Sequence, residues 1–175
     1  MGNLFLVPAD ENNLRATIKQ LVLFSRVQSL IPQSALDQLR QRTDNNNGFY
    51  CWAMKRTSQN RFNKMNDGDI VILKPNGQNQ NEGYFKYKGR VIFKTACPDL
   101  GRLLWPTDSG WNLVYFFGNI KKIKIKHSVL AQKLHYEQRI SPTLPGTFPV
   151  ARGKILRYIP DGNIDNFLDS IDELQ

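Results

Sequence analysis

Cysteine and histidine are scarce in this sequence, with two of each in 175 residues. Cys51 and Cys97 sit inside apolar stretches and form no ligand pair, and with only His127 and His135 beside them no zinc site is expected. A chain of this length buries roughly two-thirds of its unfolded surface, so it needs neither a disulfide nor a metal to fold. The same scarcity fits a reducing, cytosolic compartment. Long apolar runs are missing too, and none approaches the roughly 20 residues of a membrane span. The opening Met1-Gly2-Asn3-Leu4-Phe5-Leu6-Val7-Pro8 has no basic stretch, and its apolar run is too short for a signal peptide. The expectation is a soluble, cytoplasmic chain with no membrane partner, no metal and no cofactor.

Motifs of catalysis are lacking as well. There is no Gly-rich phosphate loop, no nucleophile elbow and no paired-carboxylate signature of a metal-dependent nuclease. Lys86-Tyr87-Lys88 has the shape of a nuclease Glu-x-Lys strand without its acid. His127 and His135 have no carboxylate-rich setting, so structural or surface roles are expected for both. No catalytic residue is named, and the chain is expected not to be an enzyme.

Acidic residues are in the minority, 15 against 24 Lys and Arg, for a net charge of +9. The isoelectric point near 9.7 passes the rough threshold for nucleic-acid binders. Five of those acids (Asp161, Asp165, Asp169, Asp172 and Glu173) fall in residues 161–175, which hold no Lys or Arg. Upstream, 24 basic residues therefore face 10 acids, a net of +14. Such a field attracts phosphates and speeds encounter with a polyanion. A basic surface kept only for solubility is the plainer alternative.

Periodicity predicts one α+β domain over residues 1–175. Asn3 to Val7 reads as a short buried strand closed by Pro8, and Asp10 or Asn12 caps a helix with Leu14, Ile18, Leu21 and Val22 near one face. A second helix is expected over Gln33 to Arg42, then a polar loop over Asp44 to Gly48. Strands are expected over Phe49–Met54, Asp69–Leu73, Gly83–Thr95, Trp111–Phe117 and Ile120–Lys126, with a loop over Pro75–Glu82 and a helical turn or two over Pro98–Leu104. The acidic tail, 161–175, reads as a packed C-terminal helix on Ile164, Phe167, Leu168 and Ile171. Together these give a curled sheet or barrel of five to six strands.

The aromatic residues carry the functional signal. Tyr50 and Trp52 share one face of their strand, because strand side chains alternate with period two. Lys55, Arg56, Arg61 and Lys64 follow as a basic run suited to a phosphate backbone. Trp105 and Trp111 bracket Pro106-Thr107-Asp108-Ser109-Gly110, a loop able to fold back on the sheet. Rings placed face to face replace the stack that an extruded base has left, at about 1–3 kcal/mol per stack. Trp52 and Trp105, beside polar or loop sequence, read as pocket walls outside the core. For Trp111, which opens an apolar run, core and pocket both stay open. Lys122, Lys124 and Lys126 share a face of another strand and read as a solvated face or edge protection.

The order Trp52, Asn60, Gly68-Asp69-Ile70-Val71-Ile72, Gly89-Arg90-Val91, Leu104-Trp105 and Trp111-Asn112-Leu113-Val114-Tyr115-Phe116 resembles the YTH/EVE group of the PUA-like superfamily. It is most similar to the EVE-type N-terminal domains of McrB-like, modification-dependent restriction enzymes. The likeness spans roughly residues 3–130. It implies a curled mixed sheet flanked by helices and an aromatic cage for a flipped, methylated base. It also implies Trp52 and Trp105 as cage aromatics, Asp10 as a contact to the base edge, Asn13 as a second polar contact and Asn60 beside the pocket. Pro8-Ala9 stands where YTH domains have a Lys-Ser pair, which argues against the RNA-reading branch. The spacing of Trp105 and Trp111 differs slightly from the paired tryptophans of one YTH subgroup.

The leading expectation is a DNA-binding domain that reads a base of the N6-methyladenine or 5-methylcytosine class. It would target the motor or nuclease segment, or subunit, of a restriction or defence system. A YTH-like reader of modified RNA, an unrecognised nuclease and a protein-interaction module are the alternatives.

Overall fold

Leu4–Ala9 (β1) is apolar on both faces, and Leu4, Phe5, Leu6 and Val7 are all buried. A strand of that kind needs a neighbour on each edge. Ile70–Pro75 (β4) runs parallel to it in register from Leu4↔Ile70 to Ala9↔Pro75, and Phe148–Pro149 (β7) pairs antiparallel on the other side. Asp69 sets the start of the β1–β4 ladder. Its buried carboxylate accepts the Asn3 backbone N–H at 2.7 Å and the Asn3 amide at 3.1 Å.

The computed structural model describes residues 2–44, 47–76, 83–108, 110–136, 144 and 146–175. Among them seven strands join in the order β2-β3-β6-β5-β4-β1-β7, where β2 is Val22–Leu23, β3 Gly48–Lys55, β5 Tyr84–Ala96 and β6 Trp111–Lys126. The sheet is mixed and open. The expected five to six strands undercount it, because β2 and β7 have two residues each and show no readable alternation. Among the described residues the sheet does not close into a barrel.

Contacts group the chain into two compact units. The first comprises Met1–Asp10, Asp69–Lys88 and Lys121–Gln175, and the second Glu11–Gly68 and Gly89–Ile120. In the first unit, Leu4, Leu6, Ile72, Phe85, Ile123 and Leu168 belong to one core with the apolar sides of His127–Lys133 (α6), Arg152–Tyr158 (α7) and Ile164–Asp169 (α8). The acidic tail is tied down by lysines: the half-buried Lys88 ammonium lies 3.0 Å from Asp165 and 3.2 Å from Asp169. The C-terminal helix is shorter than expected, six residues capped by the Asn163 side chain on the Asn166 N–H.

In the second unit, Glu11–Thr17 (α1), Phe24–Val27 (α2), Gln33–Arg42 (α3), Gln59–Lys64 (α4) and Pro98–Leu104 (α5) accompany β2, β3 and the adjoining parts of β5 and β6. The bounds of α3 are those expected, with Ala35, Leu36 and Leu39 as its buried stripe. The first helix is shorter than its apolar spacing implied. The Ile18 and Lys19 N–H groups both return to the Leu14 carbonyl and close it, and Val22 pairs with Phe49 as a strand instead. That pairing needs Gly48, where a Cβ would lie 2.3 Å from the Val22 carbonyl oxygen. The two strands expected over residues 111–126 are one continuous strand of 16 residues, despite Gly118 and Asn119 at its middle. The loop expected over residues 75–82 falls largely on residues outside those described.

Candidate functional site

β3 pairs antiparallel with β6, so Trp52 faces Tyr115 and Met54 faces Leu113. A register shift follows between Met54 and Lys55, and Lys55 then opposes Trp111. One extra residue re-aims the chain at a bulge. Here it brings Lys55 beside the first indole of β6, with the Lys55 Nζ 5.3 Å from the centre of the Trp111 ring.

The third indole arrives from α5. Gly101 lets this helix touch the start of β6, because a Cβ there would stand 1.9 Å from the Trp111 carbonyl oxygen. A glycine inside a helical pattern was the one sequence signal of this close approach. The Cys97 N–H donates to the Asn112 carbonyl at 2.8 Å, and the Trp105 N–H to the Gly101 carbonyl at 2.9 Å. Trp105 is thereby held at the end of α5 against Trp52 and Trp111. Ring centroids lie 6.1 Å apart for Trp52–Trp105, 6.5 Å for Trp52–Trp111 and 6.4 Å for Trp105–Trp111.

This cluster corrects the expected geometry in two respects. Trp52 and Trp105 are 3% and 2% exposed, so both are core residues as well as candidate walls. The planes meet at 54–70°, not face to face. Tilted rings fill one another's faces, which is how aromatic side chains pack without a guest. The Nε1–H groups of Trp105 and Trp111 are nonetheless buried with no hydrogen-bond partner among the described residues. Orphaned buried donors are rare in native structures, and each one calls for an explanation.

Asp108, which sequence reasoning did not single out, ties the loop to the cluster. Its carboxylate lies 2.6 Å from the Lys55 Nζ and accepts the Gly110 N–H at 3.2 Å. Those two bonds, Lys55 first, hold its pKa below the usual carboxylate range. Lys55 is therefore a paired residue of the cluster, whereas it was expected as a phosphate contact. Arg56, in the 3-10 turn after β3, and Arg61 and Lys64 on α4 are exposed and form no ion pair among the described residues. Asn60 is exposed on the same helix, and Tyr50 is half-buried on the Trp52 side of β3. Asn13 is half-buried on α1, which packs against β3 and α5. Asp10 is exposed and ends the first segment of the other unit.

No family model and no curated protein matches the sequence. Among solved structures, the N-terminal domain of Thermococcus gammatolerans McrB bound to m5C DNA matches with a TM-score of 0.65 at 16% identity, covering 97% of this chain and 99% of that one. The chain has the PUA-like EVE/YTH fold. A hypothetical protein from Leishmania major matches with a TM-score of 0.52 at 12% identity, over 95% of this chain and 98% of its own. The Pho92 YTH domain in complex with m6A matches with a TM-score of 0.50 at 12% identity, over 98% and 86%.

Outside the cluster, Cys51, Cys97 and the Lys74–His127 pair have buried, structural settings. Burial pushes the thiols of Cys51 and Cys97 above their ordinary value, which disfavours the reactive thiolate. In the first unit, Lys74 Nζ lies 3.0 Å from the Nδ1 of buried His127. An ammonium only donates, so Nδ1 accepts and the ring proton sits on Nε2. Burial first, and the Lys74 charge second, push the His127 pKa down to about 4. Among the described residues no cluster of His, Cys, Asp and Glu is placed to hold a metal, and no helix is long and apolar enough to cross a membrane.

Proposed function

We propose that this chain is a non-catalytic reader of methylated DNA that takes one base out of the stack and holds it among Trp52, Trp105 and Trp111. The observation that carries this reading is the convergence of three indoles with two buried Nε1–H donors that have no partner among the described residues. Leaving a buried donor unsatisfied costs about 1–3 kcal/mol. The acceptor atoms of a base edge offer those donors partners, and its π-face offers the rings a stack. A base between two parallel rings needs about 7 Å, twice the 3.4 Å rise of a stacked strand. The tilted rings must therefore swing apart to admit it, in a local opening within the second unit.

Arg56, Arg61 and Lys64 follow β3 directly and supply phosphate contacts that position the strand without reading it. Two solved relatives of the same fold, one bound to m5C DNA and one in complex with m6A, support a methylated base as the ligand class. On this reading the partner protein is the motor or nuclease of a restriction or defence system acting on DNA in the cytoplasm, and this chain aims it. Binding to matched oligonucleotides carrying N6-methyladenine, 5-methylcytosine, 5-hydroxymethylcytosine or no modification tests the proposal, with N6-methyladenine RNA as a further arm. One methylated DNA should bind at least about fourfold tighter than its unmodified match, the factor supplied by burying one methyl at about 0.8 kcal/mol. Equal binding to every oligonucleotide would overturn the reading. Preference for the RNA would move it to the YTH branch.

A further inference from the structure

We propose a second contact for nucleic acid, in a groove of the first unit between β5 and β6 that takes the phosphate backbone. This inference rests on nucleic acid being the partner, and not on the tryptophan cluster.

The groove follows from strand alternation. On β6, Ile123 and Ile125 point into the core, which leaves Lys122 and Lys124 on the outer face. On β5, Phe85 is in the core, with Tyr84 and Lys86 turned outward. Together with Tyr87 and Leu174 these side chains line a depression of about 390 Å³. A face meant only to stay wet has no need to be concave. This one gathers three ammonium groups and two phenols around a single hollow.

The carboxylates nearby are already committed. Asp165 and Asp169 bind Lys88, and Asp169 also binds Lys121. Asp172 accepts the backbone N–H of Lys124 at 2.7 Å, and Glu173 pairs with the Lys124 Nζ at 2.9 Å. Lys86 and Lys122 form no ion pair among the described residues, although the acidic tail runs past the same groove. Like charges gathered in a concave site raise the local potential and draw in an anion. Lysine binds phosphate as a mobile point charge, and tyrosine hydroxyls donate to phosphate oxygens. The tail plays a definite part here: Glu173 holds back one of the three ammonium groups.

The test uses the full chain and an unmodified DNA duplex, with affinity measured by fluorescence anisotropy across a salt series. Each phosphate neutralised contributes about 0.9 to the slope of log affinity against log salt. Lys86→Gln with Lys122→Gln should make that slope shallower by about 1.8. Glu173→Gln, which releases Lys124, should make it steeper by about 0.9. Asp37→Asn, a charge removed from α3 in the other unit, should leave it unchanged. Both lysines are exposed, and thermal melts of each variant check that folding is intact. An unchanged slope in the folded double variant would overturn the proposal. So would displacement of the duplex by poly-glutamate that depends on these two lysines, because the groove would then be fitted to acidic peptide. Failure of the parent to prefer any methylated oligonucleotide would defeat the base-reading proposal and still leave this slope measurable.

Discussion

Trp105 is the residue on which the base-reading proposal can be broken most cleanly, provided that the substitution respects its burial. It is 2% exposed and packs against two other indoles at 6.1 and 6.4 Å. Truncation of such a side chain to alanine costs about 3–5 kcal/mol. Against a total stability of about 5–15 kcal/mol, that loss is large. At this chain length each kcal/mol lowers the melting temperature by about 2–4 °C, so Trp105→Ala should melt about 6–20 °C lower. Lost binding would then be ambiguous. Trp105→Phe keeps an aromatic wall and removes the second ring and the unpartnered Nε1–H, at a cavity cost of about 1–2 kcal/mol. Stacking on the wall is worth about 1–3 kcal/mol to a base. Losing half of it, or the bond to that donor, costs about 0.5–1.5 kcal/mol, roughly two- to tenfold in affinity. The expected result is a folded variant that has lost the roughly fourfold preference for methylated DNA and binds unmodified DNA as before. Calorimetric melts and anisotropy titrations on one preparation decide it. A folded Trp105→Phe that keeps the full methylated-to-unmodified ratio would show that the indoles are core and nothing more.

Two further predictions bear on the remainder of the molecule. Replacing Arg56 and Arg61 together by Gln should weaken methylated and unmodified DNA by the same factor and reduce the salt slope by about 1.8; a loss confined to methylated DNA would place these side chains at the base. His127 should make stability depend on pH: its folded pKa of about 4 lies below the ordinary 6.5, so the unfolded chain binds more protons between those values. Stability should therefore fall as pH drops from 6.5 toward 4, by about 3 kcal/mol at about 1.4 per unit, and His127→Gln should flatten that part of the melting profile. Parallel profiles for parent and variant would refute the assignment.

Much of the fold was legible because its strongest elements are local. The α3 stripe of Ala35, Leu36 and Leu39 and the Pro98 start of α5 are signals contained within the helices themselves, and both helices have the expected bounds. What escaped was set by partners distant in sequence. Val22–Leu23 is a strand only because Gly48 permits the approach of its backbone, and Phe148–Pro149 only because β1 has an open edge. The candidate site divides the same way. Tryptophans beside loop sequence were visible as candidates. Their burial was not, since it depends on Gly101 drawing α5 onto Trp111 and on the register shift at Lys55. Asp108 was hidden for a similar reason: a loop aspartate gains a role only when a bulge turns Lys55 toward it.

The closed cluster also bounds how selective such a reader can be. A base entering it exchanges indole–indole contacts for indole–base contacts, so only the difference between the two drives recognition. The rings lose partners at 6.1–6.5 Å and gain a stacked face, an exchange that a methylated and an unmodified base make almost equally. Burying the methyl adds about 0.8 kcal/mol, near fourfold. Discrimination much beyond that has to come from the cost of extruding the base, which differs between paired and weakened positions. A net charge of +9 meanwhile attracts any polyanion, methylated or not, and does so most strongly at low salt. At low ionic strength the fourfold would be swamped by phosphate contacts from the exposed arginines and lysines. The ratio of methylated to unmodified affinity near physiological salt is therefore the quantity that reports on the tryptophans, and a bare dissociation constant is not.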